Sequence, residues 1–182
     1  MRASDLTHRI YLQRATESQT ATGYPQKTWG TLQHVWASVE MPTGKEFFTG
    51  DRDLSEVPAL IRIRRSNDVM SLRAKDRALI PSAYTTLKEL IATTSDTSVV
   101  VVDDVFPPDN PFVIQVGSEL MYVSSLSTTT LTVARGAYGT TAERHNPGAS
   151  VRMMDHYDIE SVVHGKYEMQ LSGVRRDEVA ST

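Results

Sequence analysis

Apolar residues fall in short alternating runs along most of the chain, the signature of half-buried strands. Ile10 and Leu12 share one face of the first run, with Tyr11 and Gln13 on the other. Gly23-Tyr24-Pro25 marks a turn, and Trp29 and Leu32 lead into a second run. There Val35, Ala37 and Val39 alternate with Trp36, Ser38 and Glu40, and Pro42-Thr43-Gly44 ends the strand. Residues 45 to 58 are polar and less periodic, apart from Phe47-Phe48, and read as a long loop with room for a short helical turn. A strand follows at Leu60 to Arg65, with Leu60 on the face opposite Ile61 and Ile63. The stretch from Asp68 to Leu79 is basic and its pattern ambiguous. Residues 85–92 are the one helix candidate: Thr85 or Thr86 is placed to cap it, and Leu87, Leu90 and Ile91 sit at helical spacing.

From Ser98 the texture changes. Val99 to Val102 reads as a buried strand, and Pro107-Pro108-Asp109-Asn110-Pro111 as a rigid turn. Phe112 to Val116, a hairpin turn at Gly117-Ser118, Glu119 to Val123, Leu131 to Arg135 and Val151 to Met154 follow. These strands make a self-contained small β unit. The segment from Tyr157 to Leu171 predicts a hairpin around His164-Gly165, and the tail after it is polar. The fold class expected is all-β.

Composition narrows the function classes. The chain has 182 residues, 40% of them hydrophobic, enough for one domain or two small ones with thin cores. The net charge of -3 provides no global basic field to recruit nucleic acid. Without cysteine there are no disulfides and no thiolate chemistry. No run of about eighteen apolar residues occurs, so no membrane span is expected. Residues 1–6 lack an apolar stretch, so no signal peptide is expected.

Candidate chemistry is sparse. His145, with Glu143, Arg144 and Arg135-Gly136 nearby, suggests either a site or a glycine-shaped turn in which the histidine packs; no second histidine lies at ligand spacing, which favours the turn. His156 and His164 flank the last strand; as a metal pair they lie eight positions apart with a hairpin turn at Gly165, which disfavours that reading. Asp103-Asp104 resembles no calcium loop and reads as a solvated turn. No nucleophile elbow, phosphate-binding loop or dinucleotide fingerprint is present. We expect no catalytic residue, no metal site and no cofactor. Arg62, Arg64, Arg65, Arg73, Lys75 and Arg77 form the one local basic cluster. It reads as a solvated face paired with carboxylates, or as a surface for an acidic partner or a channel wall near DNA; of the functional readings we favour a protein interface. Phe47-Phe48 cannot both face one core in an extended segment, so one of them is a candidate anchor for a neighbouring subunit. Trp29 and Trp36 are read as core or rim residues.

Taken in order, several motifs resemble the head-closure (head–tail joining) proteins of long-tailed bacteriophages. They are Arg2, His8-Arg9-Ile10, Gln13-Arg14, Trp29, Val35-Trp36-Ala37-Ser38-Val39, Gly44-Lys45-Glu46-Phe47-Phe48, Ile61-Arg62-Ile63-Arg64 and Tyr157-Asp158-Ile159-Glu160-Ser161-Val162. The resemblance implies a small β-barrel built from residues 1–80 and 151–176, split by an inserted β module at 81–150, with a polar tail at 177–182. The insert is similar to a module of other phage structural proteins through Phe112-Val113-Ile114, Glu119, Leu131-Thr132-Val133, Arg135-Gly136, Gly139-Thr140, His145 and Gly148-Ala149. A loop tolerates such an insertion because closure entropy grows by only about 0.6 kcal/mol per doubling of length.

The resemblance also implies a function: a non-enzymatic virion protein of the neck, assembled in the host cytoplasm. It would form a ring, with twelve copies expected, that closes the filled capsid below the portal or adaptor ring. The tail terminator or tail tube protein would attach beneath it, and packaged DNA would pass through without sequence-specific binding. Lys45, Glu46, Phe47, Phe48 and Arg52 are the candidate subunit or lumen contacts, and the basic cluster is the candidate partner-facing surface. The alternative is a tail-tip or surface adhesin whose insert binds a receptor or glycan through exposed aromatics, with Tyr122, Tyr138 and Phe112 as candidates.

Overall fold

The computed structural model describes residues 2–20, 22–41, 58–108 and 111–176. Among the described residues ten strands carry nearly all of the regular structure: β1 (His8–Gln19), β2 (Pro25–Glu40), β3 (Pro58–Arg64), β4 (Arg77–Thr86), β5 (Ser98–Val100), β6 (Phe112–Val116), β7 (Glu119–Ser127), β8 (Thr130–Ala134), β9 (Ser150–His164) and β10 (Glu168–Arg176). The chain divides into two compact units, Met1–Ile80 with His156–Glu178, and Pro81–Asp155.

In the first unit the strand order β4–β1–β2–β3–β10–β9 closes on itself, because β9 pairs with both β10 and β4. The closing ladder begins where Lys75 N–H donates to the Ile159 carbonyl and Ile159 N–H donates to the Asp76 carbonyl, each at 2.8 Å. A closed sheet has no free edge along the closed stretch and one continuous interior. The alternation read from the sequence decides what fills it. Ile10, Leu12, Ala37, Ile61, Ile63, Ala78, Ile80, Ile159, Met169 and Leu171 all point inward and are buried. Val69 and Leu72, from the segment between β3 and β4, pack into the same core. A bulge between Leu12 and Gln13 shifts the β1–β2 register. Trp36 lies outward and is 49% exposed, so it is a surface residue, while Trp29 is half-buried.

The second unit is built in the same way on a smaller scale. Here β4, β9, β6, β7, β8 and β5 are successive neighbours. Leu87 bridges Val101, Lys88 N–H donates to the Val100 carbonyl at 2.9 Å, and Val102 N–H donates to the Thr86 carbonyl at 3.0 Å, bringing the two ends of that row together. Leu87, Val99, Val101, Phe112, Ile114, Val116, Met121, Val123, Leu131, Val133 and Val151 form its core. The hairpin turn falls at Gly117, whose φ of 60° suits glycine.

Three expectations need correction. The helix over 85–92 does not form: β4 runs to Thr86, and Leu87 and Ile91 lie in isolated bridges. Their N–H groups donate to Ala149 and His145 carbonyls at 2.9 and 3.0 Å, which leaves no helical ladder. The valine run is buried only at Val99 and Val101, while Val102 is 50% exposed. The runs at Val151–Met154 and Tyr157–Val163 belong to one continuous strand, β9.

Candidate interaction surface

The sequence singled out two groups of residues, and they have different outcomes. Lys45, Glu46, Phe47, Phe48 and Arg52 lie outside the described residues. The basic cluster does not stay together. Arg62 faces outward on β3 and pairs with Glu40 at 2.9 Å. Arg77 is not a surface residue: it is 2% exposed, its Nε donates to Gln13 Oε1 at 2.7 Å, and its guanidinium lies 4.0 Å from the Trp29 ring. Strand alternation, together with the bulge that buries Gln13, explains why it faces that way. Arg73 and Lys75 are exposed in the loop before β4. That loop is tied by Asp76, which accepts Arg14 Nε and Nη2 at 2.8 and 2.7 Å and the Arg73 backbone N–H at 3.0 Å.

Arg64 and Arg65 enter a trough that the sequence pattern did not reveal. Arg64 ends β3 opposite Glu168 in the β3–β10 ladder, so the turn between β9 and β10 comes to lie beside Arg65 and Ser66. One open depression of about 550 Å³ is lined by Arg64, Arg65, Ser66, Asn67, Met70, Lys166 and Tyr167. A second, of about 440 Å³, shares Arg64 and Ser66 and continues to Leu6, Val35 and Trp36. Ala37 opposes Ile63, which places Trp36 next to Arg64 at this end of the sheet.

The chemistry of the trough is cationic and apolar together. Arg65 Nη1 donates to the Gly165 carbonyl at 3.1 Å and its Nε points at Met70 Sδ at 3.3 Å, both neutral acceptors. Lys166 Nζ sits 5.1 Å from the Tyr167 ring, and Arg9 lies 5.5 Å from the Trp36 ring. Arg64, Arg65 and Lys166 have no carboxylate partner among the described residues. Tyr167 is 72% exposed. Such a surface suits an acidic segment carrying apolar side chains, since the cations have no carboxylate partner among the described residues and exposed rings stand among them.

A polar network holds the second unit together. Glu119 is fully buried at the start of β7. Its carboxylate accepts Arg135 Nε and Nη2 at 2.7 and 2.8 Å, the Gly136 and Glu143 N–H groups at 2.9 and 3.1 Å, and faces His145 Nε2 at 2.8 Å. Burial alone would raise this carboxyl, but Arg135, His145 and the two backbone donors hold it down to about 2. Arg135 also donates to the Thr93, Asp96 and Glu143 carbonyls. This is a knot that fixes three loops, and His145 serves it, as the turn reading of that residue expected. Among the described residues no group of three or more His, Cys, Asp or Glu is placed to hold a metal ion. His156 is buried, and burial followed by the charge of Arg77 pushes it down to about 3. The aromatics proposed for ligand binding on the insert are poorly placed for it: Phe112 and Tyr138 are buried and Tyr122 is half-buried.

Residues 1–85 match the phage head completion protein family. The match covers β1, β2, β3 and nearly all of β4, and so most of the barrel's strands. The resemblance carried by His8-Arg9-Ile10, Val35-Trp36-Ala37 and Ile61-Arg62-Ile63-Arg64 is therefore to this family. It supports a structural role in the phage head and neck and, in general terms, contact with capsid and tail components. No curated protein matches the chain.

Proposed function

We propose that this protein is a neck component that closes the DNA-filled capsid and presents the attachment surface for the tail. The observation that carries this reading is the family match over residues 1–85, which falls on strands of a closed barrel. In this reading residues 1–80 and 151–176 are the head-closure barrel and residues 81–150 a module inserted into it. Copies assemble into a ring, with twelve expected, between the portal or adaptor ring and the tail terminator or tail tube. DNA passes through the lumen without sequence-specific binding, and the protein has no catalytic role. Its work is geometric: Lys45, Glu46, Phe47, Phe48 and Arg52 contact a neighbouring subunit or the lumen, and the solvent-facing part of the basic cluster, Arg64, Arg65, Arg73 and Lys75, faces a protein partner, a neighbouring copy included.

The test is a deletion of the gene from its phage, with the lysate imaged by electron microscopy. Separate finished tails beside unjoined capsids, with joining restored by purified protein, are the expected result. Complete particles that fail only to adsorb would overturn the reading and favour a receptor-binding role.

A further inference from the structure

We propose that the trough formed by Arg64, Arg65, Met70, Lys166, Tyr167 and Trp36 receives the acidic, aromatic segment Glu46–Glu56 of a second copy of this chain. The inference rests on the ring reading above and names the contact that would build the ring.

Three observations carry it. The first is charge. The trough presents three cations without carboxylate partners among the described residues. The segment carries Glu46, Asp51, Asp53 and Glu56 against a single arginine, Arg52. The second is the apolar content. Tyr167 and Trp36 are 72% and 49% exposed beside those cations. The segment supplies Phe47-Phe48 next to its first carboxylate. Aromatic anchors seated among desolvated charges are the usual centre of a specific contact.

The third is position. Glu40 opposes Leu60, so the chain leaves β2 and re-enters β3 at one end of that ladder. Trp36 and Arg64 stand beyond Ala37 and Ile63, at its other end. The strand ends that flank the segment and the trough thus belong to different patches of the subunit, so the contact between copies is heterologous. Repeated heterologous contacts close into a ring when the rotation allows, whereas a two-fold contact stops at a dimer.

A synthetic peptide of residues 42–57 titrated into the full-length protein, read by Trp fluorescence and at two salt concentrations, tests this directly. Saturable, salt-weakened binding is expected. The triple variant R64E/R65E/K166E should bind at least tenfold more weakly, and a peptide with Glu46, Asp51, Asp53 and Glu56 changed to Lys should bind that variant and not the wild type. This reversal separates a charge-matched contact from simple loss of folding. Absence of binding by the wild-type peptide overturns the inference, as does equal binding by the triple variant. Retention of duplex DNA by the wild type and its loss in the triple variant, with no peptide bound, would reassign the trough to nucleic acid. None of these failures touches the neck reading, which the deletion phage decides by itself.

Discussion

Removing the charge of Glu119 should destabilise the protein by about 3 kcal/mol. The substitution is Glu119→Gln, which keeps size and one acceptor oxygen. The carboxyl stands at about 2 in the folded chain against an ordinary 4.5. At 1.36 kcal/mol per decade this difference is worth about 3 kcal/mol in favour of the ionised form. The structure gives the same scale by a separate route. Arg135 and Glu119 are 5% and 0% exposed, and stripping a buried ion pair of one partner costs about 3–5 kcal/mol. A glutamine would also aim an N–H₂ at Arg135 Nη2 or at the Glu143 N–H, which are donors themselves. Urea denaturation at pH 7 should show a lower midpoint with an unchanged slope, and the melting temperature should fall by about 6–12 °C for a chain of this size. The pH dependence is a sharper check. The folded value is depressed, so the stabilisation is present above about 4.5 and is lost as pH falls through about 2. The gap between wild type and variant should therefore narrow across that window. A loss below about 1 kcal/mol, or a gap constant from pH 5 to pH 2, would refute the account and leave Arg135 held by its carbonyl contacts alone.

Other predictions follow from burial and backbone geometry. His156 is depressed to about 3, so its neutral form stabilises the fold above its ordinary 6.5, and up to about 5 kcal/mol is lost as pH falls through about 3; H156Q should flatten the upper part of that decline in acid-denaturation curves. Ile61→Ala opens a cavity in the barrel core and should cost about 2–5 kcal/mol by chemical denaturation. Arg77→Met orphans Gln13 Oε1 and removes the stack on Trp29, for a loss of about 1–3 kcal/mol and a change in Trp fluorescence. Gly117→Ala meets both a φ of 60° and the His145 ring 3.4 Å away, and should lower stability by about 1–2 kcal/mol in thermal melts.

The strands were legible because each carries its own alternation. Ile10 with Leu12, Val35 with Ala37 and Val39, and Ile61 with Ile63 declare an inner face without knowledge of any partner, and all of them pack in or against one core. The helix expected at 85–92 shows where this local signal ends. Leu87 and Ile91 lie four apart, as on a helix, yet each is buried because a distant carbonyl, Ala149 or His145, takes its N–H. Register with residues about sixty positions away decided that segment, and no short window contains it. Arg77 failed for a related reason: next to the outward-facing arginines it looks like one more surface cation, and only the bulge at Gln13 and the placement of Trp29 bury it.

The trough is the extreme case. Arg64 was counted with its neighbours in sequence, but its working neighbours are Lys166 and Tyr167, brought over by the pairing of Arg64 with Glu168, and Trp36, brought over by the pairing of Ala37 with Ile63. Lys166 and Tyr167 lie in a turn and have no periodicity of their own, so nothing marked them before the ladder was known. A run of arginines is weak evidence of a surface, because alternation sends half of a strand's side chains each way. Cations gathered from two parts of the chain, beside two exposed aromatic rings and without carboxylate partners among the described residues, are stronger evidence. Such an arrangement gathers charge and apolar area on one exposed surface, and contact with an acidic, aromatic partner would satisfy both.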